Sequence, residues 1–328
     1  MDFQETEEQS MIRGMVRSFA EDILAPTCLD RDRNASPPLE EWKLFCEYGL
    51  QGITIPEEYG GNPVDDIIEA IIVEELARVD PSFSVMYCVH VGLCAKTIAL
   101  HGNEEQKKKY LTRLSKGEIG AYSLSEAGAG TDAAAMGCRA KLSDDGSHYI
   151  LNGQKMWITN AGFADVFTVF AQVPEHGFTG FIVEKGMEGF TLGEEEAKLG
   201  IKGSSTRQVY FENVKLPANY LLGKLGKGHK IAFNVLNTGR FKLGAAVVGG
   251  SSVLTTESVK YAKTREQFGK PIFDFGAIKH KLAEQTTRTF ASESALYRCS
   301  SLINDRIALL KSEGVDTAMA KLQAAEEY

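Results

Sequence analysis

The chain has 328 residues, which is long enough for two or three domains. With 43% hydrophobic and 24% charged residues it has the composition of a folded globular protein, and a net charge of -8 argues against binding to the phosphate backbone of nucleic acids. The six cysteines are scattered, which predicts reduced thiols and neither disulfides nor a metal site. An acidic N-terminus and the lack of an apolar run of about 18 residues predict no targeting peptide and no transmembrane segment. We therefore expect a location in the cytoplasm or, after processing, in an organelle matrix.

Residues 1–117 predict an N-terminal helical domain. Apolar side chains recur at helical spacing from Thr6 to Leu24, and Pro26 is expected to end that helix. A strongly apolar helix is predicted from Pro81 to about Leu100. The first third of the chain is thus expected to consist of packed helices.

Residues 118–228 predict a middle β domain. Short runs of β-branched and aromatic residues alternate with turn signals, among them Asn152-Gly153. This pattern is typical of a compact antiparallel sandwich or barrel.

Residues 229–328 return to helical spacing. One long helix is predicted from Lys230 to Ala262, interrupted at Gly249-Gly250, and a second from Phe275 to Lys311. A third begins at Asp316 and reaches the last residue without a capping signal. The sequence therefore predicts an α+β fold whose C-terminal long-helix domain is an incomplete bundle, and we expect the chain to be a truncated portion of a longer protein.

The stretch from Ala121 to Asp132 is the strongest local signal of a ligand site. It opens as a short alternating strand and continues as a loop of small residues with Gly128, Gly130 and the hydroxyls of Ser125 and Thr131. Glycines let backbone N–H groups approach a ligand closely, and successive N–H groups in such a loop can bind an anion. Taken alone, the loop is equally compatible with a turn selected only for its geometry.

Four further motifs follow this loop. They are Asn152 to Asn160, Leu199 to Thr206, Phe211 to Pro217 and Thr264 to Ile272. Together with the loop, where Ser-Glu-Ala-Gly-Ala-Gly-Thr-Asp stands in place of the usual Thr-Glu-Pro-Gly-Ala-Gly-Ser-Asp, they resemble the acyl-CoA dehydrogenase family. The resemblance covers essentially the whole chain and includes the order of helices, β domain and long helices.

The resemblance implies an FAD site. It assigns to the cofactor the residues Tyr122, Leu124, Ser125, Gly130, Thr131, Trp157, Ile158 and Thr159. A flavin needs hydrogen-bond donors at its pyrimidine edge and at N5, which backbone N–H groups and the Ser125 hydroxyl can supply. Trp157 offers a flat apolar face, although without these neighbours it would be interpreted as a core tryptophan.

The resemblance also implies contacts to a second subunit and to CoA. Arg265 matches an arginine that reaches the FAD pyrophosphate of a neighbouring subunit, and Phe268 matches the aromatic residue beside it. The alternative for Arg265 is an exposed cation at a helix end. The protein is therefore expected to be a homo-oligomer, a dimer rather than a tetramer. Thr131, Asn237 and Arg240 match positions that contact the CoA moiety.

The family reaction needs a carboxylate that removes the proton α to the thioester carbonyl. In one branch of the family this base directly precedes an arginine, a position that Gly239 occupies here, and glycine cannot act as a base. In the other branch the base lies in a segment that this sequence does not contain, so we expect it beyond Tyr328 and assign no catalytic residue. Glu126 and Asp132 are acidic, but their spacing makes neither a base.

The segments Asn237 to Phe241 and Phe275 to Ile278 look most like the very-long-chain branch. The sequence thus predicts an FAD-dependent acyl-CoA dehydrogenase that oxidises a fatty, long-chain acyl-CoA to the trans-2-enoyl-CoA and passes electrons to an electron-transferring flavoprotein. The alternatives are an acyl-CoA oxidase and a non-catalytic protein that binds CoA or flavin. The floor of the acyl pocket is expected on the Pro81 helix, at Val85, Val89, His90 and Gly92.

Overall fold

The computed structural model describes residues 4–327, with the backbone alone at 318, 322, 325 and 326. Eight helices precede the sheet: α1 (Glu7–Phe19), α2 (Ala25–Asn34), α3 (Leu39–Cys46), α4 (Asp66–Val79), α5 (Pro81–Cys88), α6 (Lys96–His101), α7 (Glu104–Gln106) and α8 (Thr112–Ser115). The π-helical turns Ala20–Leu24, Val89–Ala95 and Lys107–Leu111 join α1 to α2, α5 to α6 and α7 to α8.

Pro26 does not end a helix, contrary to the prediction. It lies in the first turn of α2, directly after the π-helical turn Ala20–Leu24. The preceding π-helical turn carries the chain from α1 into α2 without a break.

Eight strands form the middle region: β1 (Gly120–Ser123), β2 (Arg139–Leu142), β3 (His148–Thr159), β4 (Val166–Val173), β5 (Gly177–Glu184), β6 (Phe190–Glu195), β7 (Thr206–Pro217) and β8 (Leu221–Leu222). They make one sheet in the order β6-β7-β3-β2-β4-β5-β8, and β1 pairs with β4. Most neighbours are antiparallel, as expected, but β1 and β2 run parallel to β4. The helix–sheet–helix order of the α+β fold is therefore confirmed.

Asn152-Gly153 is not a turn, so this prediction was wrong. β3 continues through both residues, and the register against β7 shifts between Leu151 and Gly153. Gly153 has a φ of 139°, which is strained for residues with a side chain. The glycine thus serves a β-bulge within a long strand rather than a chain reversal.

The last region consists of α9 (Gly228–Thr264), the short strands β9 (Glu266–Gln267) and β10 (Lys270–Pro271), α10 (Gly276–Ser312) and α11 (Thr317–Glu327). No interruption occurs at Gly249-Gly250, where α9 is continuous. A Cβ at Gly249 would overlap the backbone carbonyl of Glu74 in α4. The glycine therefore allows α9 and α4 to cross closely.

The segment Pro81–His101 packs as a core helix against α4, α9 and β1. By length and a hydropathy of 1.5 it could cross a membrane, but 67% of its most apolar stretch is buried inside the protein. Burial of this kind accounts for its apolar composition. Its π-helical turn faces β1 and α9, where the candidate site lies.

Candidate functional site

A cavity of about 450 Å³ lies where the loop after β1, the end of β3 and the start of α9 meet. All eight residues predicted for the cofactor in the first two motifs line it: Tyr122, Leu124, Ser125, Gly130, Thr131, Trp157, Ile158 and Thr159. Arg240 lines it as well, together with four residues that were not predicted from the sequence: Leu93, Ala133, Phe233 and Leu236. The volume is within the usual range of small-molecule sites.

The loop after β1 turns tightly at its tip. The N–H of Glu126 donates to the carbonyl of Ala129 at 3.0 Å, and the N–H of Ala129 donates back at 3.2 Å. Neither Gly128 nor Gly130 has a positive φ, and a Cβ at either would meet no protein atom within 4 Å. The described fold therefore does not require glycine here, and Gly130 leaves open space at the edge of the cavity.

Trp157 stands on a second bulge of β3. The register against β7 shifts between Lys155 and Ile158, and Trp157 takes a φ of 57° in the left-handed region. Its side chain is 58% exposed and borders the cavity, whereas Ile158 is buried. A left-handed conformation costs about 1–2 kcal/mol for a residue with a side chain. Strain of this size at a cavity wall is typical of functional sites.

Several polar groups of the wall have no protein partner. Among residues 4–327, none forms a hydrogen bond with the hydroxyl of Ser125, Thr131 or Thr159. The Tyr122 hydroxyl, by contrast, donates to the carbonyl of Ala232 in α9 at 3.1 Å, and burial raises its pKa. Tyr122 is therefore a fixed wall, and the three other hydroxyls can bind a ligand.

No carboxylate of the described chain lines this cavity. The carboxylate of Glu126 accepts hydrogen bonds from Gly137 N at 2.6 Å, Cys138 N at 3.1 Å and Lys155 Nζ at 2.7 Å, which leaves it no role as a base. Asp132 is exposed and does not line the cavity. The structure therefore offers no base for proton abstraction among residues 4–327 at this site.

Arg240 connects the site with a second cavity. This cavity of about 730 Å³ is larger and lies between α9, α10 and α11, but it contains no residue of the loop after β1. Asn237 lines it, and Arg240, which borders both cavities, donates to Asn237 Oδ1 at 2.6 Å. The two residues predicted to contact CoA therefore lie together at the boundary between the cavities.

Arg265 and Phe268 lie far from both cavities. They stand beyond the C-terminal end of α9 and in the β9–β10 turn, about 37 Å along the helix from Arg240 at 1.5 Å per residue. Phe268 is 92% exposed and Arg265 is exposed. Within one chain the structure does not bring these residues to the site.

The predicted floor of the acyl pocket is only partly at the site. Val89 lines the cavity, and Val85, His90 and Gly92 do not. His90 is buried, where its Nδ1 accepts from Gly120 N at 3.2 Å and its Nε2 lies 3.1 Å from the carbonyl of Gln51. This residue therefore fixes the start of β1 and does not face the cavity.

Three family models match the chain. They are described as the N-terminal, middle and C-terminal domains of acyl-CoA dehydrogenase, and they match residues 6–118, 121–214 and 226–328.

Curated relatives match over nearly the whole chain. A "Probable acyl-CoA dehydrogenase" of Bacillus subtilis is 41% identical over 98% of this chain, which spans 54% of the relative's length. An "Acyl-CoA dehydrogenase, short-chain specific" of Clostridium acetobutylicum is also 41% identical, over 99% of this chain and 86% of the relative. A short-chain relative does not support the expectation that this chain lies nearest the very-long-chain branch.

A solved structure has the same fold. The acyl-CoA dehydrogenase from Bacillus anthracis, described as complexed with FAD, superposes with a TM-score of 0.93 at 41% identity. The match covers 99% of this chain and 57% of that one. By the three domain models, the relatives and this structure, the chain belongs to the acyl-CoA dehydrogenase family.

Proposed function

We propose that the protein is an FAD-dependent acyl-CoA dehydrogenase. The observation that carries the proposal is the single cavity that collects all eight residues predicted for the cofactor. The residues fit a flavin, because the wall combines an open position at Gly130, three hydroxyls without partners among residues 4–327 and the flat side chain of Trp157. Bound there, FAD would supply the acceptor for the hydride that leaves the β carbon of the thioester.

The chain's own residues would bind and orient the cofactor and the substrate. The hydroxyls of Ser125, Thr131 and Thr159 would donate to the cofactor and the substrate, and Trp157 would cover one face of the flavin ring. With a ligand bound, apolar side chains such as Leu124 would exclude water from the cavity, which would strengthen each of these hydrogen bonds. Arg240, at the boundary between the two cavities, would contact CoA together with Asn237.

We propose a homodimer, which the position of Arg265 supports. This residue lies far from the site of its own chain, on an arm formed by α9 and α10 that exposes the apolar side chains of Leu254, Tyr261 and Phe290. Exposed apolar surface of this extent is typical of an interface. We propose that Arg265 and Phe268 contact FAD in the partner subunit, where the planar guanidinium suits a pyrophosphate.

The finer part of the proposal concerns the substrate, the base and the electron acceptor. We propose a fatty, long-chain acyl-CoA as the substrate. The basis is the resemblance of the segments Asn237 to Phe241 and Phe275 to Ile278 to the very-long-chain branch. A carboxylate outside residues 4–327 would act as the base, and electrons would pass to an electron-transferring flavoprotein. The two curated relatives are equally similar, and the one named for a chain length is short-chain specific, so an acyl-CoA series has to test this part.

The test is turnover of acyl-CoA thioesters of increasing length by the purified native protein, with an electron-transferring flavoprotein as acceptor. The proposal predicts trans-2-enoyl-CoA as product and a larger kcat/KM for long than for short chains. Oxygen consumption without the flavoprotein would indicate an oxidase instead. Acyl-CoA binding without product would indicate a non-catalytic binding protein.

A further inference from the structure

Lys155 and Glu126 form a buried ion pair behind the wall of the cavity. Lys155 Nζ lies 2.7 Å from Glu126 Oε1, and the two side chains are 0% and 8% exposed. Neither residue lines the cavity. Burying two charges is costly unless every hydrogen bond is made, so the contacts of this pair indicate what it does.

Glu126 closes the loop that carries the ligand-facing residues. It stands near the start of this loop, and its carboxylate accepts from the N–H groups of Gly137 at 2.6 Å and Cys138 at 3.1 Å, near the loop's end. Ser125, Gly130 and Thr131 lie in or next to the segment that these bonds enclose. The carboxylate therefore fixes both ends of the loop to each other.

Lys155 ties the same loop to β3. Its ammonium group also donates to the carbonyl of Leu124 at 3.0 Å, and the next residue, Met156, donates from its N–H to the carbonyl of Ser125 at 2.8 Å. The bulge that places Trp157 at the cavity begins directly after Lys155. One side chain thus contacts both walls at the point where they diverge.

We propose that the Lys155–Glu126 pair is a positioning element that holds the loop and the Trp157 bulge at the separation FAD requires. The inference rests on the proposed FAD site. Neither residue touches the cofactor, so both act through Ser125, Gly130, Thr131 and Trp157. Because the two charges compensate each other, the pair orders both walls without placing a net charge beside the flavin.

Three variants separate positioning from general stability: Lys155→Met, Glu126→Gln and the double variant. Each single change leaves a buried group without its partner and lowers Tm. The double variant removes both charges at similar volume, so its Tm should lie above that of Lys155→Met, in which the buried carboxylate is left without its ammonium partner. We expect its FAD affinity to stay weaker by about tenfold, because the carbonyl of Leu124 has lost its donor and the walls are no longer tied.

Hydrogen exchange gives a readout that does not depend on FAD. In the double variant the amides of Gly137, Cys138 and Met156 should exchange faster than in the wild type, since their bonds depend on the pair. A chain that binds no FAD would overturn the proposed function, while these exchange rates would still decide whether the pair orders the loop.

Arg31→Met is the matched control. It breaks an ion pair of similar burial, Arg31–Asp80 at 2.5 Å with 9% and 4% exposure, in the N-terminal helices. This variant should have a lower Tm than the wild type, but the same FAD affinity and the same hydrogen-exchange rates at the loop amides. The inference is overturned if the double variant regains wild-type FAD affinity and loop protection, or if FAD affinity falls with Tm equally in all variants, Arg31→Met included.

Discussion

Gly239 in α9 lies against Leu93, so that a Cβ at position 239 would come within 2.9 Å of Leu93 Cδ2. Leu93 lines the candidate site, one turn after Val89. The position that the sequence resemblance matches to the base of one branch of the family is therefore filled by packing between α9 and the Pro81–His101 helix.

Gly239→Ala should displace Leu93 towards the cavity. We expect the KM for acyl-CoA to rise several-fold with a smaller change in kcat, because the reacting groups stay in place. The free energy of unfolding should change little. Alanine is about 1 kcal/mol more favourable than glycine in a helix, and this gain offsets the cost of crowding Leu93. Steady-state kinetics and thermal unfolding measure both effects. The double variant Leu93→Ala/Gly239→Ala should restore KM, and a fall in kcat at constant KM would contradict this packing account.

Trp157→Asn should be more stable without FAD than Trp157→Ala by about 1 kcal/mol, because asparagine tolerates the left-handed backbone better than alanine. Both variants lose the packing of the partly buried indole, so their difference reports the backbone strain. FAD affinity should fall, since the flat apolar face is lost. Urea unfolding and FAD titration measure the two effects. Trp157→Phe keeps both the left-handed backbone strain and an aromatic ring, so it should behave like the wild type. If Trp157→Asn is no more stable than Trp157→Ala and binds FAD like the wild type, Trp157 is neither strained nor in contact with FAD.

His90 should make the protein less stable in mild acid. Burial lowers its pKa from 6.5 to about 4 in the folded state. Between these values the unfolded chain binds a proton that the folded chain does not, so the free energy of unfolding falls as pH drops from 6.5 to 4, by about 3 kcal/mol for this residue. His101, whose pKa burial also lowers to about 4, acts in the same direction.

The contribution of His90 to this pH dependence can be measured by denaturant unfolding at several pH values. The wild type is compared with His90→Gln. Glutamine can accept from Gly120 N and donate to the carbonyl of Gln51, but it does not titrate. In the variant, the free energy of unfolding should fall less steeply between pH 6.5 and 4 than in the wild type. An unchanged slope would mean that His90 is protonated in the folded protein as readily as in the unfolded chain.

Mixed dimers test whether Arg265 serves the partner subunit. Arg265→Gln and Trp157→Asn homodimers should each bind FAD weakly. In the mixed dimer one site has its own Trp157 and the partner's intact Arg265, so about half of the sites should recover FAD affinity. If Arg265 acted in its own chain, no site of the mixed dimer would be intact and no recovery would occur.

Much of this site could be predicted because its residues are close in sequence. Ser125 and Thr131 lie in one loop and Trp157 and Thr159 on one strand segment, so motifs alone brought them together. The Asn152-Gly153 bulge was mistaken for a turn, because both use a glycine and only strand pairing distinguishes them.

The pocket floor was harder to predict. Val89 and Leu93 are four residues apart and share the cavity face, while His90 and Gly92 do not line the cavity. In a helix that is apolar on all sides, the sequence does not indicate which face borders a cavity. Lys155 has no motif signal of its own, because its role depends on contacts with Leu124 and Glu126 that form only in the fold.

The most direct test of the account is an anaerobic titration of the FAD-reconstituted native protein with acyl-CoA, followed by the visible flavin absorption. The account predicts one FAD per chain, loss of the oxidised flavin band on addition of acyl-CoA, and enoyl-CoA formed in equal amount. A protein that binds no FAD, or whose flavin stays oxidised with every acyl-CoA tested, would contradict it.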